Sequence, residues 1–544
     1  MKMKSTGMTA AETSCGYCAA SALLFVLFAV DPVLMALGAD PIDIRVGRQL
    51  FVDDYLVEAS SGLVRHWNHP VKQEDPVVWV GNGAAPRMTD GSSHASENDK
   101  AVNLTCATDG GLWWDPTRRK FRLWYQADWI GDICYAESRD GMTWEYPDLG
   151  IVPGTNRLFE HDNIDSWNVT PDYAAANPYA DWKLHVSEPH VSPGSYDRLW
   201  TSKDGIHFKA LGRAGISGDR STSYYDPFRG VWVFSLRDGW PMRARRYFAS
   251  RTFGGPDCRW SWCDKEPDEF HGLPRAERWL VVTNGVRRSL YSFNAVAYES
   301  LMLGVMEILY NTPGDNGDCA KVGLPKQTAL HFTFSRDGKT FEPRTDADIA
   351  PCGWGSGKWD TGYLSCIGGI CVIKDERLWF YYSGLRGDGE RVKKNKCHYW
   401  SRNGMYSNGS IGVATLRRDG FAGMVADSRG ELLTKPLAFD GGHLFVNVEC
   451  RFGSLTAEVV GDDGTPVKGF TRADCKAVSR VDSTKTELVF AGGSISRFAG
   501  KPVRFRFFLH CGTFYSFWVS PSPRGESRGY VAAGGPAYPG LRDL

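Results

Sequence analysis

Apolar and polar positions alternate along most of the chain in short runs, and turn-forming residues end each run. One unit recurs: an apolar strand, a polar turn at Asp-Pro or its equivalent, an aromatic-rich strand, and a strand that ends in Ser-x-Asp-Gly. Asp-Gly suits this last turn because glycine reaches positive φ freely and aspartate bonds to nearby backbone N–H groups. The pattern predicts an all-β chain built from copies of one unit.

The Ser-x-Asp-Gly turn marks the copies of this unit. It occurs at Ser138–Trp144, Ser202–Phe208 and Ser335–Phe341, and in a shorter form at Arg417–Phe421. The second and third copies lie roughly twice as far apart as the first two, so a degenerate copy is expected between them, at Ser250–Trp262. Five units predict a five-bladed β-propeller over residues 40–428, and six blades are the nearest alternative.

The repeat ends near Asp427, and the chain beyond it follows a different pattern. Val503, Phe505 and Phe507 alternate with arginines, which is typical of a strand with one buried face. Residues 429–544 have a normal domain length. We therefore predict a β-sandwich at this end, which braces the last blade, with carbohydrate binding as the alternative role.

The first 39 residues have the pattern of a secretory signal peptide. Two lysines precede an apolar stretch from Ala19 to Val30, and small residues follow it. Asp31 and Pro32 end the stretch short of the roughly 20 apolar residues that cross a bilayer, and no later segment is long enough. We expect a secreted or periplasmic protein without a membrane span in the mature chain.

Export permits disulfide bonds, and the closest cysteine pairs in the mature chain are candidates for them. These pairs are Cys258 with Cys263 and Cys366 with Cys371. Scattered buried thiols are the alternative. Clustered Cys or His ligand spacing is missing from the mature sequence, so neither a metal site nor a cofactor is predicted.

The charge and composition of the chain indicate which class of molecule it binds. Lys plus Arg and Asp plus Glu are 63 each, so the formal net charge is zero and nothing steers the whole chain toward nucleic acid or an anionic membrane. Twenty tryptophans and 13% aromatic residues fit a turn-rich all-β protein whose pocket stacks on sugar rings. A carbohydrate is the expected partner, and the oligomeric state is left open.

Acids on the first strand of a propeller blade converge on the central axis, so the candidate acids are those on these strands. Asp109 and Asp219 lie six and seven residues before the turn aspartate of their units, and Glu299 stands among apolar neighbours where burial raises a carboxyl pKa. We predict Glu299 as general acid, Asp109 as base or nucleophile, and Asp219 as the group that orients the sugar. For Asp109 a turn role, and for Asp219 a local ion pair, are equal alternatives. Asp53 and Asp54 form a reserve acid pair.

Four residues are predicted to bind substrate. Arg220 follows Asp219, and Tyr298 and Asn294 lie in the same predicted strand as Glu299. Arg237 belongs to four arginines at positions 237–246, whose guanidinium groups could hold a carboxylate or sulfate of the ligand. A solvated loop is the alternative for these arginines.

Several segments together resemble secreted bacterial proteins described as glycosyl hydrolase family 32-like five-bladed propellers. The resemblance implies a five-bladed fold, glycosidase activity and a funnel with three essential acids from different blades. The Trp-Met-Asn-Asp-Pro-Asn-Gly motif of invertases is missing, so fructan specificity is not implied. The segments are Phe51–Glu58, Gly218–Thr222, Ala297–Gly304, Ala414–Phe421 and His443–Asn447.

The turns are also similar to the Asp boxes of sialidases, which are six-bladed propellers. That similarity implies a second possibility, a hydrolase of acidic sugars with an arginine triad and a tyrosine paired with a glutamate, roles that Tyr298, Glu299 and the arginines at 237–246 fit. A non-catalytic glycan-binding propeller and a lyase or phosphorylase on the same scaffold are further alternatives.

Overall fold

The alternating pattern folds into strands throughout the part of the chain that the structure, a computed structural model, describes. It describes residues 40–79, 104–127, 131–159, 164, 166–188, 195–238, 243–262, 268–282, 288–310, 319, 321–390 and 404–544. The predicted signal segment and Cys263 lie outside these residues. Residues Pro41–Leu544 form one compact unit, which contains every strand below. The all-β prediction is confirmed.

The strands fall into three stretches of the chain. The N-terminal strands are β1 (Ile42–Asp43), β2 (Gln49–Leu50), β3 (Val57–Ser61), β4 (Val64–Trp67) and β5 (Val71–Lys72). The middle strands are β6 (Thr105–Asp115), β7 (Lys120–Ala127), β8 (Asp132–Ser138), β9 (Ser166–Pro171), β10 (Trp182–Glu188), β11 (Ser195–Ser202), β12 (Lys209–Ser217), β13 (Thr222–Asp226), β14 (Val231–Asp238), β15 (Ala244–Ser250), β16 (Glu277–Arg278), β17 (Arg288–Glu299), β18 (Leu301–Tyr310), β19 (Thr328–Ser335), β20 (Gly362–Lys374), β21 (Arg377–Leu385) and β22 (Gly409–Arg417). The C-terminal strands are β23 (Ala422–Thr434), β24 (Leu437–Ala438), β25 (His443–Glu449), β26 (Ser454–Val460), β27 (Val478–Ser479), β28 (Asp482–Leu488), β29 (Arg504–Ser520) and β30 (Tyr530–Val531). Short 3-10 turns lie at Pro178–Ala180, Asp268–Phe270, Arg472–Asp474 and Ile495–Phe498.

The middle strands form five successive antiparallel groups. Group one is β6 to β8, group two β9 to β12, group three β13 to β16, group four β17 to β19, and group five β20 to β22. The first strands pack against one another in cyclic order, from β6 through β9, β13, β17 and β20 back to β6. Groups one and five also share a parallel bridge between Asp109 and Ile367. The cycle of neighbouring groups is therefore closed.

Two groups gain a strand from a distant part of the chain. The N-terminal β5 pairs with β22 at the edge of group five, and β30 pairs with β17 of group four. The segment after β30 continues across the neighbouring groups. The N–H of Ala532 donates to the carbonyl of Ala297, that of Ala533 to Cys371, and that of Trp114 to the carbonyl of Ala533. One short segment thus joins groups four, five and one.

The repeated turns have the predicted chemistry. At the first turn, Ser138 Oγ accepts the N–H of Gly141, and Asp140 Oδ1 accepts the N–H groups of Met142 and Thr143. Burial raises the pKa of Asp140, but these N–H groups outweigh burial and the net pKa is lowered. The same bonds recur at the second turn, and at the third turn Asp337 Oδ1 accepts the N–H groups of Lys339 and Thr340. The acids of these turns are structural.

Each repeated turn packs against the group before it, and the first turn packs against group five. This follows from hydrogen bonds that side chains of the earlier group donate to turn carbonyls. The bonds are Tyr381 OH to Gly141, Trp124 Nε1 to Gly205 and Arg229 Nη2 to Gly338. In the degenerate copy the donor is reversed, and Trp260 Nε1 donates to the carbonyl of Ile216.

Six of the C-terminal strands, β23 and β25 to β29, belong to a nine-stranded sheet around β29, whereas β24 pairs with β1. Phe505 and Phe507 are buried in it as predicted. The sheet also takes in β2, β3 and β4, which the sequence pattern assigns to the propeller, and β23 starts at Ala422, before the predicted boundary at residue 428. Phe51 explains this placement, because its ring packs on Phe514 and Phe517. The sheet therefore draws on both ends of the unit.

The described cysteines are all free thiols. Cys366 and Cys371 are therefore not joined, contrary to one candidate pairing, and lie at the two ends of an irregular stretch of β20. Burial raises the pKa of both thiols. In the described part of the chain, helices are too short and polar to cross a membrane.

Candidate functional site

Asp109 lies where group one departs from regular pairing. The pairing of β6 with β7 is interrupted between Cys106 and Gly111, and Asp109 adopts φ +76°. A non-glycine residue in this region is strained and persists only where its surroundings hold it. Ser292 Oγ of group four donates to Asp109 Oδ1 over 2.9 Å. The interrupted strand thus turns a buried carboxylate toward group four.

Arg220 lies at the point where the five groups meet. It occupies the turn before β13 at φ +61°, its N–H donates to Ser166 Oγ of group two, and its carbonyl accepts Arg245 Nη2 of group three. The guanidinium Nη2 then reaches the other three groups. Its distances are 3.3 Å to Asp109 Oδ2, 2.5 Å to Glu307 Oε2 and 3.3 Å to Ser365 Oγ. We call Asp109, Arg220 and Glu307, with Ser292 and Ser365, the Arg220 cluster.

The two carboxylates of the Arg220 cluster are close together. One nitrogen is 3.3 Å from an oxygen of Asp109 and 2.5 Å from an oxygen of Glu307, so these oxygens are no more than about 6 Å apart. Glu307 is opposite Ser292 in the pairing of β17 with β18, which explains why both acids face the same point. Both side chains are fully buried. The site is a carboxylate pair around one guanidinium.

Burial sets the protonation of this pair. Burial raises the pKa of Asp109, and the nearby Arg220 opposes the rise. Burial raises the pKa of Glu307 to about 7; Arg220 opposes this too, and the charge of Asp109 adds to it. Two like charges this close do not ionise independently. The pair therefore gains or loses a proton near neutral pH.

Part of the hydrogen-bonding capacity of the Arg220 cluster is unused. Among the described residues, Asp109 Oδ2, Glu307 Oε1, and Arg220 Nε and Nη1 have no hydrogen-bond partner. Buried polar atoms in folded proteins almost always have one, from protein or water. The unused atoms belong to the carboxylate pair and to the guanidinium between them, which suits the binding of a hydroxyl-rich ligand.

Tyr291 lies beside the cluster, because β17 bulges there. The pairing of β17 with β18 skips from Leu290 to Ser292, so Tyr291 is the extra residue whose side chain is re-aimed. Lys326 Nζ donates to the Tyr291 hydroxyl over 2.7 Å. Arg220 and Arg237 have their guanidinium carbons 5.6 and 5.7 Å from the centre of the Tyr291 ring.

The predicted site residues Asp219, Arg220, Arg237 and Asn294 lie in this region. Asp219 forms an ion pair with Arg237, and their side chains are 34% and 16% exposed, so they lie nearer to solvent than Arg220. Asn294 is buried on β17, where its Oδ1 accepts the N–H of Ala295. With Asp109, the structure brings together five of the seven predicted residues.

Glu299 and Tyr298 lie elsewhere. Ser292, which bonds to Asp109, and Glu299 are seven residues apart on β17, or roughly 23 Å along an extended strand. This separation exceeds the reach of two acids that act on one glycosidic bond. The expectation that Glu299, Asp109 and Asp219 share one mouth is therefore corrected for Glu299. The reason is that Glu299 occupies the turn at the far end of the strand.

The surroundings of Glu299 join the groups to the C-terminal sheet. Glu299 Oε1 accepts Arg418 Nη2 at 2.9 Å, and Oε2 accepts the N–H of Arg48 at 3.0 Å and Ser527 Oγ at 2.7 Å. Asp419 accepts Tyr298 OH at 2.6 Å and Arg48 Nη1 at 3.1 Å. We call Glu299, Arg48, Arg418 and Asp419 the Glu299 cluster. The reserve acids are also in ion pairs, Asp53 with Arg336 and Asp54 with Arg65.

Glu307 is the functional candidate that sequence reasoning missed. It lies on the second strand of its group, whereas the predicted acids lie on or just before the first strands. A signal was present, because Glu307 interrupts the apolar run Leu301–Leu309 and is the lone acid there. A fully buried carboxylate in such a run is costly unless it is paired. In the described residues, no group of three or more metal-binding side chains was found.

Comparison with known proteins finds only weak similarity to solved structures. No family model matches the chain, and no curated protein matches it in sequence. A β-1,2-mannobiose phosphorylase from Listeria innocua is 10% identical, with a TM-score of 0.41 over 65% of this chain and 98% of that chain. A fructofuranosidase from Schwanniomyces occidentalis is 11% identical, with a TM-score of 0.37 over 83% and 98%. A thermostable family-43 glycoside hydrolase is 9% identical, with a TM-score of 0.37 over 60% and 94%.

Proposed function

We propose that this chain is a glycoside hydrolase whose carboxylate pair, Asp109 and Glu307, lies in the funnel of a five-bladed propeller. Each of the five groups is taken as one blade. The cyclic packing of their first strands supports this count, as do the turns that pack against the preceding group. The nine-stranded sheet is proposed as the appended sandwich, which shares Phe51 and its neighbours with the N-terminal strands.

The observation that carries the proposal is the carboxylate pair around Arg220. Glycoside hydrolysis needs one carboxyl that holds a proton near neutral pH and one that is ionised. Glu307, with its pKa raised to about 7, suits the acid, and Asp109 next to Arg220 suits the anion. An unpaired buried acid would serve neither role well.

The separation of the two acids favours a retaining reaction. Carboxylates about 5–5.5 Å apart form a covalent intermediate, and those about 6.5–9.5 Å apart leave room for a water molecule. The oxygens of Asp109 and Glu307 are within about 6 Å, which lies nearer to the first range. We propose that Asp109 attacks the anomeric carbon while Glu307 protonates the departing oxygen. Glu307 then takes a proton from water, which displaces Asp109 from the sugar.

The residues around the pair complete this arrangement. Ser292 orients Asp109 by its hydrogen bond, and Ser365 and Arg220 hold the Glu307 side of the pair. Asp219 and Arg237, which are closer to solvent, are proposed to contact the sugar at the entrance. Secretion or periplasmic export, which rests on the sequence of residues 1–39, remains part of the proposal.

The test is a screen of nitrophenyl glycosides and natural oligosaccharides, followed by kinetics of E307Q and D109N on the substrate that is cleaved. Each variant should lose most of its kcat while it remains folded by circular dichroism. E145Q, which changes an exposed glutamate, is the control and should keep full activity. Proton NMR of the first product should show the anomeric configuration of the substrate. Full activity of both E307Q and D109N would overturn the proposal.

A further inference from the structure

Cys352 is the exposed one among the cysteines that the structure describes, and a lysine amine touches its sulfur. Lys72 Nζ lies 3.1 Å from Cys352 Sγ and also donates to the carbonyl of Ala350 at 2.9 Å. The two side chains come from distant parts of the chain, because Lys72 belongs to β5 and Cys352 lies between β19 and β20. We call Lys72, Cys352 and Asp360 the Lys72 cluster.

Asp360 holds the amine and the thiol at the same place. Its Oδ2 accepts Lys72 Nζ at 2.6 Å and Tyr382 OH at 3.0 Å, and its side chain is 3% exposed. The N–H of Cys352 donates to the backbone carbonyl of Asp360 at 3.0 Å. The amine and the thiol are therefore each tied to one buried residue.

The backbone on both sides of this contact is fixed by further bonds. Lys72 is opposite Ala414 in the pairing of β5 with β22. Trp359 Nε1, from the segment that follows Cys352, donates to the carbonyl of Glu74 at 3.1 Å. A bond between Lys72 and Cys352 would therefore need little movement, and it would join the N-terminal strand to the segment before group five.

The cluster contains the three groups that an oxidative cross-link requires. An accessible thiol reacts with a peroxide, and the sulfenic acid that forms condenses with a neighbouring nitrogen. Cys352 is exposed to a peroxide from solvent, and Lys72 supplies a nitrogen at 3.1 Å. Asp360, at 2.6 Å from that nitrogen, accepts the proton that an ammonium group must lose before it attacks.

We propose that the Lys72 cluster is a modification site at which a peroxide joins Cys352 and Lys72 by a covalent sulfur–nitrogen bond. The peroxide oxidises the thiol by two electrons to a sulfenic acid and is itself reduced to water. Lys72 gives one proton to Asp360, and its amine attacks the sulfur. The sulfur–oxygen bond breaks, and the hydroxyl leaves as water with a second proton from the amine.

The product is a sulfenamide, which an added thiol reduces back to the free cysteine and lysine. The link is therefore a reversible clamp on the N-terminal strand. It is independent of the proposed hydrolase function, because its three residues do not belong to the Arg220 cluster.

The surroundings of the thiol affect the rate of this reaction. Burial and Asp360 raise the pKa of Cys352, and Lys72 opposes the rise. The thiolate is the form that a peroxide attacks, so cross-linking should be several-fold faster at about pH 9 than at about pH 7. Among the described residues, the titratable groups around the thiol are those of Lys72, Asp360, Tyr382 and Lys358.

The experiment treats the purified full chain with a small molar excess of hydrogen peroxide and digests it with chymotrypsin without a reductant. Mass spectrometry should find the peptide of Lys72 joined to that of Cys352, with about 2 Da less than the sum of the two. Dithiothreitol should separate them. A joined pair about 14 Da heavier than the sum would overturn the direct sulfur–nitrogen bond, because it contains an added oxygen.

Variants test which groups form the link. K72R keeps a positive charge beside Asp360 but removes the amine, and C352S removes the thiol, so each should lower the yield of joined peptide about tenfold or more. K358R changes a neighbouring lysine that pairs with Glu74, and C511S changes another thiol that is partly open to solvent. Both controls should leave the yield unchanged.

Stability gives a second readout. The link closes the chain between residues 72 and 352, which restricts the unfolded state. Peroxide should therefore raise the melting temperature of the parent chain by several degrees, and dithiothreitol should reverse the rise. C352S should show no such rise.

The inference is overturned if Cys352 of the treated parent chain remains a thiol or is converted only to a sulfinic acid while Lys72 stays unmodified. It is also overturned if K72R forms the joined species as readily as the parent. The mass of the joined peptide in the parent chain answers the question even where a variant does not fold.

Discussion

The Arg220 cluster and the Glu299 cluster are both buried, both contain two acids, and both include a residue of β17. In the Glu299 cluster, each carboxylate oxygen accepts a hydrogen bond from a described residue, and two acids face two arginines. In the Arg220 cluster, Asp109 Oδ2 and Glu307 Oε1 accept none from the described residues. Burial and charge are common to both clusters, and unused acceptors distinguish one of them.

The pKa directions of the two clusters differ at one acid, Asp419. In the Glu299 cluster, burial raises the pKa of Glu299, whereas Arg48 and Arg418 outweigh burial at Asp419 and lower its pKa. In the Arg220 cluster, both acids have raised pKa values around a single guanidinium. The comparison teaches that a buried ion network with satisfied acceptors holds a fold together, and that one with spare acceptors and a shared proton suits chemistry.

The largest expected effect is that of E307Q on catalysis. Loss of the proton donor should lower kcat by about 10³-fold on a substrate with a poor leaving group, because general acid catalysis is typically of this size. The melting temperature should change little, since glutamine keeps the volume. Steady-state kinetics and calorimetry measure the two effects. If kcat is within a factor of ten of the parent, Glu307 is not the acid.

Glu299 should show the opposite behaviour. E299A leaves Arg48 and Arg418 buried with less counter-charge, so the free energy of unfolding should fall by about 3–5 kcal/mol. The kcat of the molecules that remain folded should match that of the parent. Urea denaturation gives the first value, and active-site-normalised kinetics at low temperature give the second. A specific loss of kcat without loss of stability would restore Glu299 as a catalytic candidate.

The pH profile tests the shared proton. Glu307 has a raised pKa of about 7, so its proton is present below this pH and lost above it. The kcat/KM for a poor leaving group should therefore fall about tenfold per pH unit above the pKa, as one required proton is lost. A dinitrophenyl glycoside, whose leaving group needs no proton, is the control and should lack this alkaline fall. A fall that is identical for both substrates would assign the titration to another group.

Two serine-to-alanine variants, one beside each cluster, are expected to have the smallest effects. They allow the two clusters to be compared by the same chemical change. S292A removes the hydrogen bond to Asp109 and should lower kcat by about tenfold or less, in line with about 0.5–1.5 kcal/mol for one bond. S300A removes a bond to the carbonyl of Arg48 near the Glu299 cluster and should lower stability by about 1 kcal/mol with kcat unchanged. Equal effects of the two variants on kcat would contradict the division between the clusters.

The local features of this molecule could be predicted from its sequence. The turn chemistry at Ser138 and the alternation of Phe505 and Phe507 follow from short-range rules, and both are present in the structure. The spacing of Asp109, six residues before the turn aspartate of its unit, also predicted a residue of the proposed site as a candidate. These features depend on a few adjacent residues, which a single sequence displays directly.

Contacts between residues that are far apart in the sequence could not be predicted from it. Glu299 and Glu307 both stand among apolar residues, and their different partners come from Arg48 and Arg418 on one side and Arg220 on the other. The residues next to either glutamate in the sequence do not predict which arginines it contacts. The bulge at Tyr291 likewise depends on how β17 meets β18. The acid in the middle of an apolar strand was the better candidate, and the acid at the end of a strand was a structural one.

The segment that follows β30 has a consequence for biosynthesis. Its backbone links the carbonyls and amides of Ala297, Cys371 and Trp114, and a ribosome makes it after all three. The nascent polypeptide therefore has the five groups outside the exit tunnel while the tie across three of them is still missing. Premature termination just ahead of Tyr530 would yield a product with nearly every strand but no such tie, and protease sensitivity should reveal it.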